Sequence, residues 1–168
     1  MADSGESVRG IRAASVSEWL AQNVGGANPP FEFSQIVGGH SNLTYRVAAA
    51  DGQCFVLRRP PLGAVLATAH DMGREHKIIT GVAKTSVPVP QALGLCLDEA
   101  VNDAPFYVMN FVDGFTAMSR LPDVFKNDAA LRRDAAHGFM DALGELARVD
   151  WKAHGLEGYG KPEGFHER

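Results

Sequence analysis

The sequence predicts an α+β fold: a five-stranded antiparallel sheet with one main helix, followed by the start of a second, helical region. Three observations predict it. Short apolar runs alternate with polar residues and are broken by glycine, Asp-Gly or proline. A helical stripe separates the third run from the fourth. A longer amphipathic stretch then occupies the last third of the chain.

The elements follow in order. Ala13 to Val24 reads as a short amphipathic helix, with Ser15 or Ser17 as its cap and Gly25-Gly26 as its stop. Asn28-Pro29-Pro30 is a linker. Phe31 to Val37, Leu43 to Ala49 and Cys54 to Arg59 form a meander, broken by Gly38-Gly39 and by the tight-turn pair Asp51-Gly52. Ala64 to Val82 reads as the main helix, because Val65, Ala69, Met72, His76 and Ile79 recur every three or four residues. Ala92 to Asp98 and Phe106 to Val112 complete the sheet, joined by a polar loop from Glu99 to Ala104. Asp128 to Val149 is a long helix, with Leu131, Ala135, Phe139, Leu143 and Leu146 on its apolar face. The expected organisation is 1–30 for the first helix and linker, 31–114 for the sheet, and 115–168 for the remainder.

Composition narrows the function. With 16 basic against 20 acidic residues and a net charge of −4, the chain lacks the basic face that a nucleic-acid backbone requires. No apolar run approaches the roughly 20 residues of a membrane span, and the acidic start is unlike a signal peptide. Neither nucleic acid nor membrane is therefore an expected partner, and the expected location is the cytoplasm. Cys54 and Cys96 read as buried free thiols on strands, with a disulfide or metal pair as the lesser alternative.

Four features carry chemistry. Gly38-Gly39-His40-Ser41-Asn42 joins two antiparallel strands, and glycines there let backbone N–H groups approach a polyanion. Arg58 or Arg59 ends the third strand as a fork suited to phosphate oxygens; alternation lets only one of them face a site. Glu75 sits at the edge of the helix stripe, where a buried carboxylate needs a cation. Phe106 to Val112 is an apolar strand running into the turn Asp113-Gly114. Each alone also suits a plain hairpin, a solvated strand end, a surface acid or a buried strand. Their order is what gives them weight together.

That order, with Gly38-Gly39-His40-Ser41-Asn42-Leu43-Thr44-Tyr45, Val56-Leu57-Arg58-Arg59-Pro60-Pro61, Ala69-His70-Asp71-Met72-Gly73-Arg74-Glu75 and Phe106-Tyr107-Val108-Met109, resembles the aminoglycoside phosphotransferase family of kinase-like enzymes. The resemblance is to the branch found as free-standing phosphotransferases and joined to acyl-CoA dehydrogenases. It covers about residues 30 to 168. It implies a protein-kinase-like small lobe plus the first helix of the large lobe. It further implies that Gly38, Gly39, Ser41 and Asn42 face phosphate, that Arg58 replaces the usual strand lysine, and that Glu75 is its helix partner. Met109 would line the back of an adenine pocket, and the Asn110 carbonyl and Val112 N–H would bind the base. ATP and Mg²⁺ are the implied cofactors, and a small hydroxylated molecule, such as a hydroxyacyl-CoA, the implied acceptor.

The family's His-Gly-Asp-type catalytic loop and later metal-binding Asp do not occur in these 168 residues. The expectation is therefore a nucleotide-binding front part, truncated and inactive alone, with catalytic and metal residues lying beyond it. A non-catalytic interaction or oligomerisation module on the same fold is the alternative. The apolar face around Phe139 further suggests a homodimer. No His-Glu-x-x-His pattern suggests zinc, and no Gly-x-Ser-x-Gly elbow suggests hydrolysis.

Overall fold

A computed structural model describes residues 8–37, 41–63, 70–115 and 121–159. The chain divides into two compact units, Met1–Thr80 with Pro90–Phe111, and Gly81–Val89 with Val112–Arg168.

The first unit is the sheet. Its strands are β1 (Phe31–Gln35), β2 (Leu43–Ala49), β3 (Cys54–Arg59), β4 (Ala92–Cys96) and β5 (Phe106–Asn110). They lie in the order β1-β2-β3-β5-β4, and every pairing is antiparallel. This is the α+β architecture that the sequence predicts. The β2–β3 turn closes as Asp51-Gly52 implies: Gly52 takes a positive φ of 87° and donates to the Ala49 carbonyl. Both outer strands and β5 are shorter than the apolar runs suggest, because Ile36, Val37, Leu97 and Val112 run out into solvent.

Strand alternation sorts the side chains onto two faces. Tyr45, Val47, Phe55, Leu57, Phe106 and Val108 make one buried face. It is covered by α1 (Ala13–Asn23), which contributes Val16, Leu20 and the edge of Trp19. Val16 and Leu20 are one helical turn apart and therefore share a face. Trp19 meets Phe106 edge-on at 4.9 Å, a geometry that aligns ring edge with ring face. α1 starts after Arg12 with no side-chain cap. The expected cap Ser15 instead donates to the Val101 carbonyl at 2.6 Å, because it lies inside the first turn and faces the β4–β5 connection.

That connection corrects a second expectation. Glu99–Asn102 is a short helix, α3, and not a plain loop. Asp98 caps it through Ala100 N–H, and Asp103 ends it in the left-handed region at φ 54°. Its Asn102 is fully buried and accepts from Arg12 N–H at 2.9 Å, tying α1 to the sheet's far connection.

On the opposite face stands α2 (Met72–Val82). It starts later than the apolar stripe suggests. Asp71 accepts from Arg74 N–H through its side chain and from Glu75 N–H through its carbonyl, so His70 and Asp71 precede the first turn. Val65 and Ala69 lie outside the described residues. Both cysteines are free; Cys96 is buried, while Cys54 is only half-buried at the start of β3.

The second unit contains α4 (Ala129–Arg148), bounded as the periodicity predicts. Asp128 caps it by accepting from Leu131 N–H at 2.8 Å. Phe139, Met140, Leu143 and Leu146 on this helix are exposed. No helix among the described residues is long and apolar enough to cross a membrane.

Candidate functional site

The site is built on the α2 face of the sheet by residues of three strands, of α2 and of the segments before β2 and α2, all in the first unit. In the strand register Thr44 stands opposite Arg58, and Arg58 stands opposite Tyr107. One row across β2, β3 and β5 is thus Thr44, Arg58, Tyr107. Glu75, in the first turn of α2, comes down onto this row.

The carboxylate of Glu75 gathers three donors. Arg58 Nε donates to Oε2 at 2.8 Å. Tyr107 O–H donates to the same oxygen at 3.3 Å. Asn42 Nδ2 donates to Oε1 at 2.6 Å. Beyond Asn42, its Oδ1 lies 2.6 Å from His70 Nδ1. Arg58 is held on its second side by Nη1, which donates to Thr44 Oγ1 at 3.2 Å. Among the described residues Arg58 Nη2 takes no partner.

Electrostatics follow from this crowding. Arg58 and Glu75 are each a little under a third exposed, so their attraction is only partly screened. Burial, then the neighbouring Glu75 charge and its hydrogen bond, push the Tyr107 phenol well above its ordinary value, against a smaller opposing pull from Arg58. Tyr107 is therefore a neutral donor. His76, edge-on to the Tyr107 ring at 6.2 Å, is lowered by burial and favours the neutral form.

The residues singled out in the sequence fall as follows. Arg58 and Glu75 are brought together as an ion pair. Gly38 and Gly39 lie outside the described residues, and Ser41 is exposed beside them. Asn42 is buried at 6% exposure, and both ends of its amide are engaged inside the protein. Met109 is half-buried between Val56 and Ala92. Asn110 ends β5, its N–H donating to the Gln91 carbonyl and its side chain accepting from Gln91 N–H. Val112 belongs to the second unit and is exposed.

Thr44, His70 and Tyr107 were missed from sequence. Tyr107 could have been found, since it sits opposite Arg58 once β3 and β5 pair in this register. Arg59 was missed in another sense. It is 4% exposed and faces α1, where Nη1 donates to the carbonyls of Gly10 at 2.6 Å and Asn102 at 3.2 Å, and Nε to Pro60. Burial lowers its pKa. A cavity of about 510 Å³ opens beside it, lined by Pro60, Leu62, His70, Glu99 and Asp103 among others. No group of three or more His, Cys, Asp or Glu among the described residues could hold a metal ion.

Comparison with known proteins agrees with this architecture. The profile of the phosphotransferase enzyme family matches residues 32–168. The chain is 36% identical over 159 residues to "Probable acyl-CoA dehydrogenase IBR3" of Arabidopsis thaliana, covering 89% of this chain and 19% of that protein. It is 37% identical over 134 residues to acyl-CoA dehydrogenase family member 10 of Mus musculus, covering 79% of this chain and 12% of that protein. A solved structure from Ralstonia eutropha, described as a "putative aminoglycoside phosphotransferase", superposes with a TM-score of 0.69 at 30% identity. The superposition covers 88% of this chain and 41% of that one. The chain thus spans less than a fifth of the length of these two curated relatives.

Proposed function

This chain belongs to the phosphotransferase enzyme family, and from that premise we propose that its sheet unit binds the phosphates of ATP, for transfer of the terminal phosphoryl group to a hydroxyl of a small molecule. The observation that carries the reading is Arg58. Its guanidinium is held by Glu75 through Nε and by Thr44 through Nη1, while Nη2 has no partner among the described residues. A cation fixed on two sides with its third nitrogen unpartnered is prepared for an oxyanion, because little ordering remains to be paid when the ligand arrives.

Gly38, Gly39 and Ser41 precede β2 and would supply backbone and hydroxyl donors to the same phosphates. Met109 and Asn110, at the end of β5, would take the adenine. Mg²⁺ would accompany the nucleotide, neutralising phosphate charge as in other phosphoryl-transfer sites. The described residues offer no three-ligand metal cluster of their own, so the metal would depend on the nucleotide and on residues outside this set. The acyl-CoA dehydrogenase names of the relatives support an acceptor related to acyl-CoA chemistry, such as a hydroxyacyl-CoA.

Calorimetric titration with ADP and Mg²⁺ tests the reading. The expected outcome is weak binding by the 168-residue chain that Arg58→Ala removes. A well-folded chain whose response to ADP is nil, or is the same in Arg58→Ala, overturns it.

A further inference from the structure

We propose that Asn42 and His70 are positioning residues for the Arg58–Glu75 pair, with Asn42 as the link and His70 as the group that fixes its orientation. The inference rests on the reading above only in what the pair is for; the positioning itself is a property of the empty protein.

The geometry leaves one consistent assignment of donors. A carboxylate only accepts, so the Asn42 atom 2.6 Å from Glu75 Oε1 is the NH₂ group. The amide oxygen then points the other way, to His70 Nδ1 at 2.6 Å. An amide oxygen also only accepts, so His70 carries its proton on Nδ1. Were that proton on Nε2 alone, Nδ1 and Oδ1 would face each other as two acceptors, and the amide would be driven to flip. A flipped amide would set its oxygen against Glu75 Oε1, repelling the carboxylate. The tautomer of His70 therefore reaches Arg58 through two intervening side chains.

The consequence for Arg58 lies in how the carboxylate is shared. Asn42 holds Oε1, while Arg58 and Tyr107 both use Oε2. The pair is single-pronged, through Nε. Without the Asn42 donor, Oε1 is free to engage the guanidinium as well, and an arginine fork accepts such a two-pronged partner readily. That rotation would draw Nη2 or Nη1 inward and away from the ligand side. Asn42 is buried, so losing its N–H leaves Oε1 without that donor in a sheltered place. Asn42 precedes β2 and His70 precedes α2, so this relay also joins the segment following Gly38-Gly39 to the helix that bears Glu75.

The test is nitrogen-15 NMR on the labelled 168-residue chain, without nucleotide, at a pH of about 8.5, where an ordinary imidazole is neutral. Long-range spectra of the folded wild type are expected to show His70 protonated on Nδ1; protonation on Nε2 alone overturns the proposal without any variant. The Arg58 Nε–H resonance, identified by its loss in Arg58→Lys, is expected to shift in Asn42→Ala and in His70→Leu. His70→Gln, which keeps a donor toward Asn42, is expected to restore it. An Arg58 signal that is the same in the wild type, Asn42→Ala and His70→Leu sinks the idea, as does a His70→Gln spectrum identical to that of His70→Leu. A wild type that shows this pattern yet binds no ADP sinks the nucleotide reading alone.

Discussion

Arg58 and Arg59 are consecutive on β3 yet act on opposite faces of the sheet. Arg58 Nε reaches Glu75 on the α2 face at 2.8 Å, and Arg59 Nη1 reaches the Gly10 carbonyl on the α1 face at 2.6 Å. Period-2 alternation alone separates a partly exposed cation from one sealed in the structure. Replacing Arg59 by Met is expected to destabilise the chain by about 2–4 kcal/mol, because three carbonyl acceptors lose their donor in a buried place. Urea unfolding measures the loss. The folded Arg59→Met protein is expected to keep its response to ADP; if that response disappears at unchanged stability, the division of labour between the two arginines is wrong.

A second expectation concerns Gly94 on β4. A Cβ added there would lie 2.9 Å from the Trp19 ring and 3.5 Å from Val24. Trp19 is already fixed by its edge contact with Phe106, so the ring has little room to yield. Gly94→Ala is expected to cost about 1–3 kcal/mol by overpacking and to change the tryptophan fluorescence of the folded state. A neutral substitution would mean that α1 can slide on the sheet.

Stability is expected to fall at alkaline pH in a way that traces to Tyr107. Its folded pKa is raised above the ordinary 10.0. Above about pH 10 the unfolded chain therefore loses a proton that the folded chain keeps, and each further rise in pH favours unfolding. The contribution is whole below that pH. Tyr107→Phe is expected to flatten the decline, leaving the part due to Tyr45, which burial also raises. At neutral pH it costs about 0.5–1.5 kcal/mol for the lost bond to Glu75. Urea midpoints between pH 8 and 11 decide it; an unchanged slope rules Tyr107 out as the source.

The exposed side chains Phe139, Met140, Leu143 and Leu146 on α4 make concentration-dependent self-association the expected behaviour of this chain. Sedimentation equilibrium should show mass rising with concentration, and Phe139→Ser with Leu143→Ser should return it to a monomer. A monomer at several hundred micromolar would remove the expectation.

The sheet was legible because its evidence is local. Alternation, Asp51-Gly52 and the proline breaks mark each strand without reference to any other. α4 was legible to within a residue because Asp128 caps it and its stripe is unbroken. What could not be read depends on partners distant in sequence. α3 is four residues long and polar, and it is recognisable only through Asp98 and Asp103 at its ends. The resemblance assigns Asn42 to a phosphate-facing loop, and its bond to Glu75, 33 positions later, cannot be read from that assignment. Alternation left Arg58 and Arg59 open, and it was the family resemblance that singled out Arg58 with Glu75 as its partner. Asn42, Tyr107 and His70 were invisible as a group because their roles exist only after β3, β5 and α2 have met.

That last meeting has an entropic side. β1, β2 and β3 pair with near neighbours, whereas β3 pairs with β5 across roughly 50 residues, Arg58 against Tyr107. Closing so long a segment carries a larger entropic penalty than any other strand pairing here. Glu75 lies within the closed segment. Glu75 can meet Arg58 across 17 positions, but Tyr107 reaches the same carboxylate only when the longest-range pairing of the sheet is made.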